Sequence, residues 1–201
     1  MHLAQRLRDA VIVTSSLVLL AACGGSGGST GTNPPPSSSD PFLPATSITA
    51  SAGADVRAAV AADLNRDGRL DLVMAHAGTT DLSIALGGAV GFGAVANTGA
   101  GGTVADLAAA DVDLDGDVDV IAAVDVLGTG QAILLQGDGS GSLITSANLP
   151  LPVGVQADAI VAGRFNADAY PDIAVLSTLD ESISISLGSA LGFGAYSTLS
   201  L

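Results

Sequence analysis

The chain has 201 residues and a formal net charge of −14; its six basic residues are all Arg, and nineteen of its twenty acids are Asp, Glu181 being the exception. That length allows one ordinary domain plus appendages, and the lack of clustered Lys and Arg excludes phosphate-backbone binding to nucleic acid while leaving cations as natural partners. Aromatics make up 3% of the chain, and a composition rich in Asp and Gly rather than Glu and Lys points to short strands and tight loops.

The first segment reads as an export signal. Arg6 and Arg8 form a short positive region, and Val11 to Ala22 is a mostly apolar run. It is too short to span a bilayer core, which takes about twenty residues as a helix, but it fits a secretory signal. The run ends in Leu20-Ala21-Ala22-Cys23, and Cys23 is the only Cys in the chain. This end resembles the lipobox of bacterial lipoproteins, which implies that residues 1–22 are removed and that Cys23 is the lipidation site. The exported part would then carry four Arg against nineteen acids. Gly24 follows the Cys, and the resemblance implies placement in the cell envelope, at the outer membrane or cell surface, with the lipid anchor as the membrane contact. Residues 23–44 form a tether: Gly24-Gly25-Ser26-Gly27-Gly28-Ser29 is flexible and Pro34-Pro35-Pro36 stiff and extended.

Residues 45–201 are internally repetitive, which outranks other signals. A leading strand is expected near 46–52. The first unit carries Asp63-Leu64-Asn65-Arg66-Asp67-Gly68-Arg69-Leu70-Asp71, with strands expected near 56–63, 70–76, 82–87 and 94–98. The second carries Asp111-Val112-Asp113-Leu114-Asp115-Gly116-Asp117-Val118-Asp119, and the third Arg164-Phe165-Asn166-Ala167-Asp168-Ala169-Tyr170-Pro171-Asp172. Downstream, Ser83-Ile84-Ala85-Leu86-Gly87 aligns with Ala132-Ile133-Leu134-Leu135-Gln136 and with Ser184-Ile185-Ser186-Leu187-Gly188. Gly91-Phe92-Gly93-Ala94 aligns with Gly192-Phe193-Gly194-Ala195, where the middle unit has Gly139-Ser140-Gly141-Ser142. Phe92 and Phe193 are expected to pack the turn between outer strands. Units of about 40 to 50 residues with four short strands are the natural size of propeller blades. The expected fold is all-β, with three four-stranded β-propeller blades.

Alternate residues of a tight loop can face one centre, so acids two apart converge, and calcium takes six to eight oxygen ligands at a flexible site. In the first loop the ligand set is Asp63, Asn65, Asp67, the carbonyl of Arg69, and Asp71. In the second it is Asp111, Asp113, Asp115, the carbonyl of Asp117, and Asp119. Gly68 and Gly116 permit the sharp turn. Four carboxylates this close repel one another without a cation. An EF-hand is excluded, because its twelfth loop position would be Met74 or Ala122 rather than Glu. The third loop is expected to hold no cation. Arg164 replaces the first acid, and Ala169 replaces the Gly at a position expected to need φ > 0. The Arg164 guanidinium could fold inward onto Asp168 or Asp172, or point to solvent.

These repeats resemble FG-GAP or VCBS repeats, the blades of integrin α-subunit propellers and of many bacterial exported proteins. The resemblance covers nearly all of 45–201 and implies a calcium-binding loop between the first two strands of a blade.

His76 is the one His after Cys23 and is expected at a surface or strand edge, so Ser-His-Asp and Cys-His constellations are hard to assemble. The expected function is a non-catalytic, calcium-stabilised, lipid-anchored module for binding or adhesion, with a protein or glycan ligand. The alternative is a fragment of a larger exported propeller protein, a polysaccharide-acting enzyme or its accessory domain. Propellers close with about four to eight blades, so three units leave an incomplete ring whose open edges could recruit a second copy.

Overall fold

The computed structural model describes residues 55–152 and 155–201. Those residues form twelve strands in three four-stranded antiparallel sheets, each built in chain order. Blade 1 holds β1 (Val56–Ala62), β2 (Asp71–His76), β3 (Asp81–Gly88) and β4 (Gly91–Gly99). Blade 2 holds β5 (Thr103–Ala110), β6 (Asp119–Val126), β7 (Thr129–Gly137) and β8 (Leu143–Pro150). Blade 3 holds β9 (Ala159–Gly163), β10 (Asp172–Ser177), β11 (Ser182–Ser186) and β12 (Ser197–Ser200). The fold is all-β, as expected, with three propeller-type blades. The leading strand expected near 46–52, the signal segment, the tether and Cys23 lie outside the described residues.

β5 lies against both β1 and β9, so the first strands of the three blades are neighbours. The sheets therefore stack through their faces, and one rule governs which face meets which. The residue after the last acidic-loop Asp points to the preceding blade in blades 2 and 3 (Val120, Ile173), and the residue after that points to the following one in blades 1 and 2 (Val73, Ile121). Val73, Ala75, Leu82 and Ile84 of blade 1 thus pack on Val104, Leu107, Val120, Ala122 and Val124 of blade 2. Ala108, Ile121, Ala123 and Leu134 on the other side of blade 2 pack on Ile160, Ile173 and Val175 of blade 3. Blade 2 is covered on both faces, and Val120-Ile121-Ala122-Ala123-Val124 is accordingly an unbroken apolar run, fully buried. With so few aromatics, both interfaces are filled mainly by Ala, Val, Leu and Ile, whose β-branched members suit a pleated surface.

Two sequence expectations are corrected here. Leu72 pairs with Ala85 and Val120 with Leu135, so the equivalent of Ser83–Gly87 in blade 2 is Ile133–Gly137, one residue later than the sequence alignment placed it. A one-residue slip exchanges the two faces of a strand. Phe92 lies inside β4 rather than in a turn and is exposed, whereas Phe193 packs against the core between blades 2 and 3.

Candidate metal centre

Each acidic loop joins the first two strands of its blade, so all three emerge at corresponding sheet ends. The loops coil through Asx-turns, in which a side-chain oxygen accepts the amide two residues on. Asn65 and Asp67 do this in the first loop, Asp113 and Asp115 in the second, and Asn166 and Asp168 in the third. The coil brings alternate side chains to one side. In the first two loops it also requires left-handed backbone, at Arg66 (φ 59°) and Gly68 (φ 81°), and at Leu114 (φ 63°) and Gly116 (φ 92°). Leu64 and Val112, the second residues of these loops, are buried between blades and pin the coils to the core.

The second loop gathers the carboxylates of Asp111, Asp113 and Asp115, with ligand atoms all within 4.8 Å of one another. Asp111 Oδ2 accepts the Gly116 amide at 3.0 Å. Asp111 Oδ1 is buried without a hydrogen-bond partner, an acceptor that a cation suits and a donor-free interior does not. Asp113 Oδ2 accepts from Gln136 Nε2 at 3.0 Å. In the first loop the oxygens are more fully engaged by the chain itself. Asp63 takes the amides of Asp67 and Gly68, and Asp67 takes the amide and guanidinium of Arg69.

The last Asp of each loop is a buried latch. Asp71 accepts Leu64 N at 2.8 Å and Gly87 N at 2.7 Å. Asp119 accepts Val112 N at 2.9 Å and Gly137 N at 3.0 Å. Asp172 accepts Phe165 N at 2.6 Å, Asn166 N at 3.2 Å and Gly188 N at 2.8 Å. Each carboxylate thus ties the loop's start to the end of the blade's third strand or, in blade 3, to Gly188 just past it. Gly87, Gly137 and Gly188 sit where a Cβ would collide with the carbonyls of Leu70, Val118 and Pro171, so these contacts demand Gly. Burial, reinforced by the charges of Asp113 and Asp115 and opposed by its two backbone hydrogen bonds, raises the pKa of Asp119. A nearby cation would favour its ionised form.

The third loop departs from the pattern in ways the sequence did not show. Ala167 and Ala169 are not in left-handed backbone, so the expected strain at Ala169 does not arise: the loop coils differently. Arg164 is exposed and pairs with neither candidate acid. Asp168 accepts Asn166 Nδ2 at 2.7 Å, and Asp172 is filled by backbone amides.

The family-level comparison fits this geometry. A family model described as FG-GAP-like repeat matches residues 63–122 and 111–175, spanning all three acidic loops. The chain belongs to the FG-GAP-like repeat family. No curated protein matches it.

Within this FG-GAP-like frame, sequence reasoning missed two features. Arg66 reaches from the first loop onto the second: its Nε lies 2.5 Å from Asp117 Oδ1, and its NH2 donates to the Asp115 carbonyl at 3.4 Å. Gly139 leaves room for that pair, and Gly141 N donates to the Leu64 carbonyl at 3.0 Å. The Gly-rich turn of the middle unit is therefore the seat of the first loop, and a Cβ at Gly139 would crowd the Arg66–Asp117 pair. The signal was the Gly pair itself, Gly139 and Gly141, where a Cβ would crowd Arg66 and Leu86 of blade 1. His76 is also corrected: it is buried rather than exposed, with Nε2 2.8 Å from Ser83 Oγ, which donates to Asn97 Oδ1 at 2.9 Å.

Proposed function

We propose that this chain is a non-catalytic, calcium-stabilised binding or adhesion module of the cell envelope, carried there by a lipid on Cys23 and recognising a protein or glycan ligand. The observation that carries the reading is the second acidic loop, where Asp111 Oδ1 is buried and unpartnered within a cluster of three carboxylates. Asp111, Asp113, Asp115 and the Asp117 carbonyl would hold the ion there, beside Asp119. Calcium, when bound, supplies the positive charge that offsets their mutual repulsion and accepts more oxygen ligands than magnesium does. Asp63, Asn65, Asp67, the Arg69 carbonyl and Asp71 would form a weaker site, because more of their oxygens already serve the loop.

The non-catalytic reading is supported by His76, the one His beyond the signal segment, which is sealed in the interior with Ser83. The Ser83 proton is directed at Asn97, so Ser83 is not poised as a nucleophile. The anchor reading rests on the Leu-Ala-Ala-Cys run.

Thermal melts test the calcium claim. Extracellular calcium modules bind near about 10⁻⁴ to 10⁻³ M, and at about 100 times the dissociation constant one site adds roughly 2.7 kcal/mol. For a domain of this size that is a rise of about 5–10 °C over the melt in chelator, and Asp113→Ala should shrink it. Identical melts with calcium and chelator would contradict the reading.

A further inference from the structure

We propose that Arg66 is a positioning residue for the cation site of the second loop, which is thereby assembled across the junction of blades 1 and 2. The inference rests on the calcium reading of that loop and names what holds the loop in shape. The side-chain ligands Asp111, Asp113 and Asp115 all belong to blade 2, but the segment that leads from Asp115 to the Asp117 carbonyl is gripped from blade 1. Arg66 Nε lies 2.5 Å from Asp117 Oδ1, and Arg66 Nη2 donates to the Asp115 carbonyl at 3.4 Å. Between those two contacts the guanidinium passes over Gly116, 3.5 Å from where a Cβ would stand. Gly116 is in left-handed backbone (φ 92°) and, as Gly, has the most conformational freedom to lose. Asp117 Oδ1 is buried without a hydrogen-bond partner, so the guanidinium charge is what keeps this carboxylate in place.

Blade 1 presents this side chain from a fixed base. Leu64 is buried between the blades and its carbonyl accepts Gly141 N at 3.0 Å. On the other side of Arg66, the Asp67 amide is held by Asp63 and Asn65, each at 3.1 Å. The planar fork of Arg suits it to engage a carboxylate and a carbonyl together. Leu114 and Ala167 stand at the matching positions of the other two loops and offer no such donor, so the second loop does not brace the third in this way. Charge works against the arrangement, because a guanidinium beside a cation site repels the ion. Asp117 cancels that effect: its carboxylate stands outside the cluster of Asp111, Asp113 and Asp115 and neutralises Arg66. What remains is the ordering of the loop, and a loop already set in its bound shape loses less entropy when the ion enters. The Arg66 side chain is 54% exposed, so the gain is modest, at most about fivefold in the binding constant.

The test is a calcium titration of the full chain in a mild detergent followed by NMR, with the Gly116 amide reporting occupancy of the second loop. Arg66→Ala should bind there about two- to fivefold more weakly than the parent. Arg66→Lys, which can pair with Asp117 but lacks the fork, should fall between the two. In chelator the melting temperatures of all three should agree within about 4 °C, while the Gly116 and Asp117 amides exchange faster in Arg66→Ala than in the parent. Tighter binding in Arg66→Ala, with the parent and Arg66→Lys alike, would overturn the proposal by showing that the guanidinium acts through repulsion. Equal affinity in all three would also overturn it and leave the calcium reading standing, whereas no binding in any of them would overturn both.

Discussion

The buried latch at Asp172 makes the sharpest energetic prediction. Its side chain is fully buried and accepts three backbone amides, two of them at 2.6 and 2.8 Å. Hydrogen bonds to a charged acceptor contribute about 1.5–3 kcal/mol each, and an orphaned buried donor costs about 1–3 kcal/mol. Asp172→Ala leaves Phe165 N and Gly188 N without an acceptor, and relief from carboxylate desolvation returns part of the loss. The net cost is about 3–5 kcal/mol, a large share of the roughly 5–15 kcal/mol that holds a typical domain together. Urea unfolding followed by far-UV circular dichroism should show the midpoint falling by about 1–5 M, given slopes of about 1–3 kcal/mol/M. Asp172→Asn keeps one acceptor but turns its NH₂ toward the other donors, so it should recover less than half. Because Asp172 belongs to the loop with the displaced first acid, the loss should be the same in calcium and in chelator. A loss below about 1 kcal/mol would refute the latch.

Gly188→Ala should cost about 1–3 kcal/mol in the same assay, because its Cβ would strike the Pro171 carbonyl; a neutral result would show that the backbone there has room to shift. Arg66→Ala should cost only about 0–1 kcal/mol, since its side chain is 54% exposed. Hydrogen exchange should nonetheless rise in both the first loop and the 138–141 turn, and faster exchange in only one would contradict the clasp. Asp158 has its pKa lowered from 3.8 by the Thr178 side-chain and backbone hydrogen bonds, with a smaller contribution from Arg57. Its folded-state value is depressed, so its stabilisation is fully present above 3.8 and is lost as pH falls through the folded value. Asp158→Asn should be less stable than the parent at pH 7 and equal to it near pH 2, and a gap that persists in acid would refute the assignment. Cys23→Ala should release the protein from the membrane fraction of a Gram-negative host, and equal solubility of the two forms would remove the anchor.

Much of the fold was legible because the chain writes the same blade three times. The acidic loops, the strands that flank them and the order of sheets all follow from that repetition. The register of β7 did not. Blade 2 is buried on both faces, so Ile133-Leu134-Leu135 lacks the alternation that would have fixed which residue faces which blade. His76 was misplaced for a related reason: the end of a strand is a surface position only when nothing covers that face, and the sequence does not say what covers it. The double duty of the last Asp was half visible. Asp172 persists where Arg164 and Ala169 break the metal pattern, as a structural role requires. The Arg66 clasp joins residues about fifty positions apart in different blades, a pairing no local pattern encodes. The left-handed turn at Gly68 and Gly116 was legible from Gly alone, while its loss in the third loop depended on the whole loop adopting another coil.

The most direct test of the account is a count of bound calcium by native mass spectrometry, with affinities from titration calorimetry. The account predicts two specific ions per chain, the tighter one lost in Asp111→Ala and the weaker one lost in Asp63→Ala. No specific ion at about 10 mM calcium, a third specific ion in the parent, or an unchanged count in Asp111→Ala would contradict it.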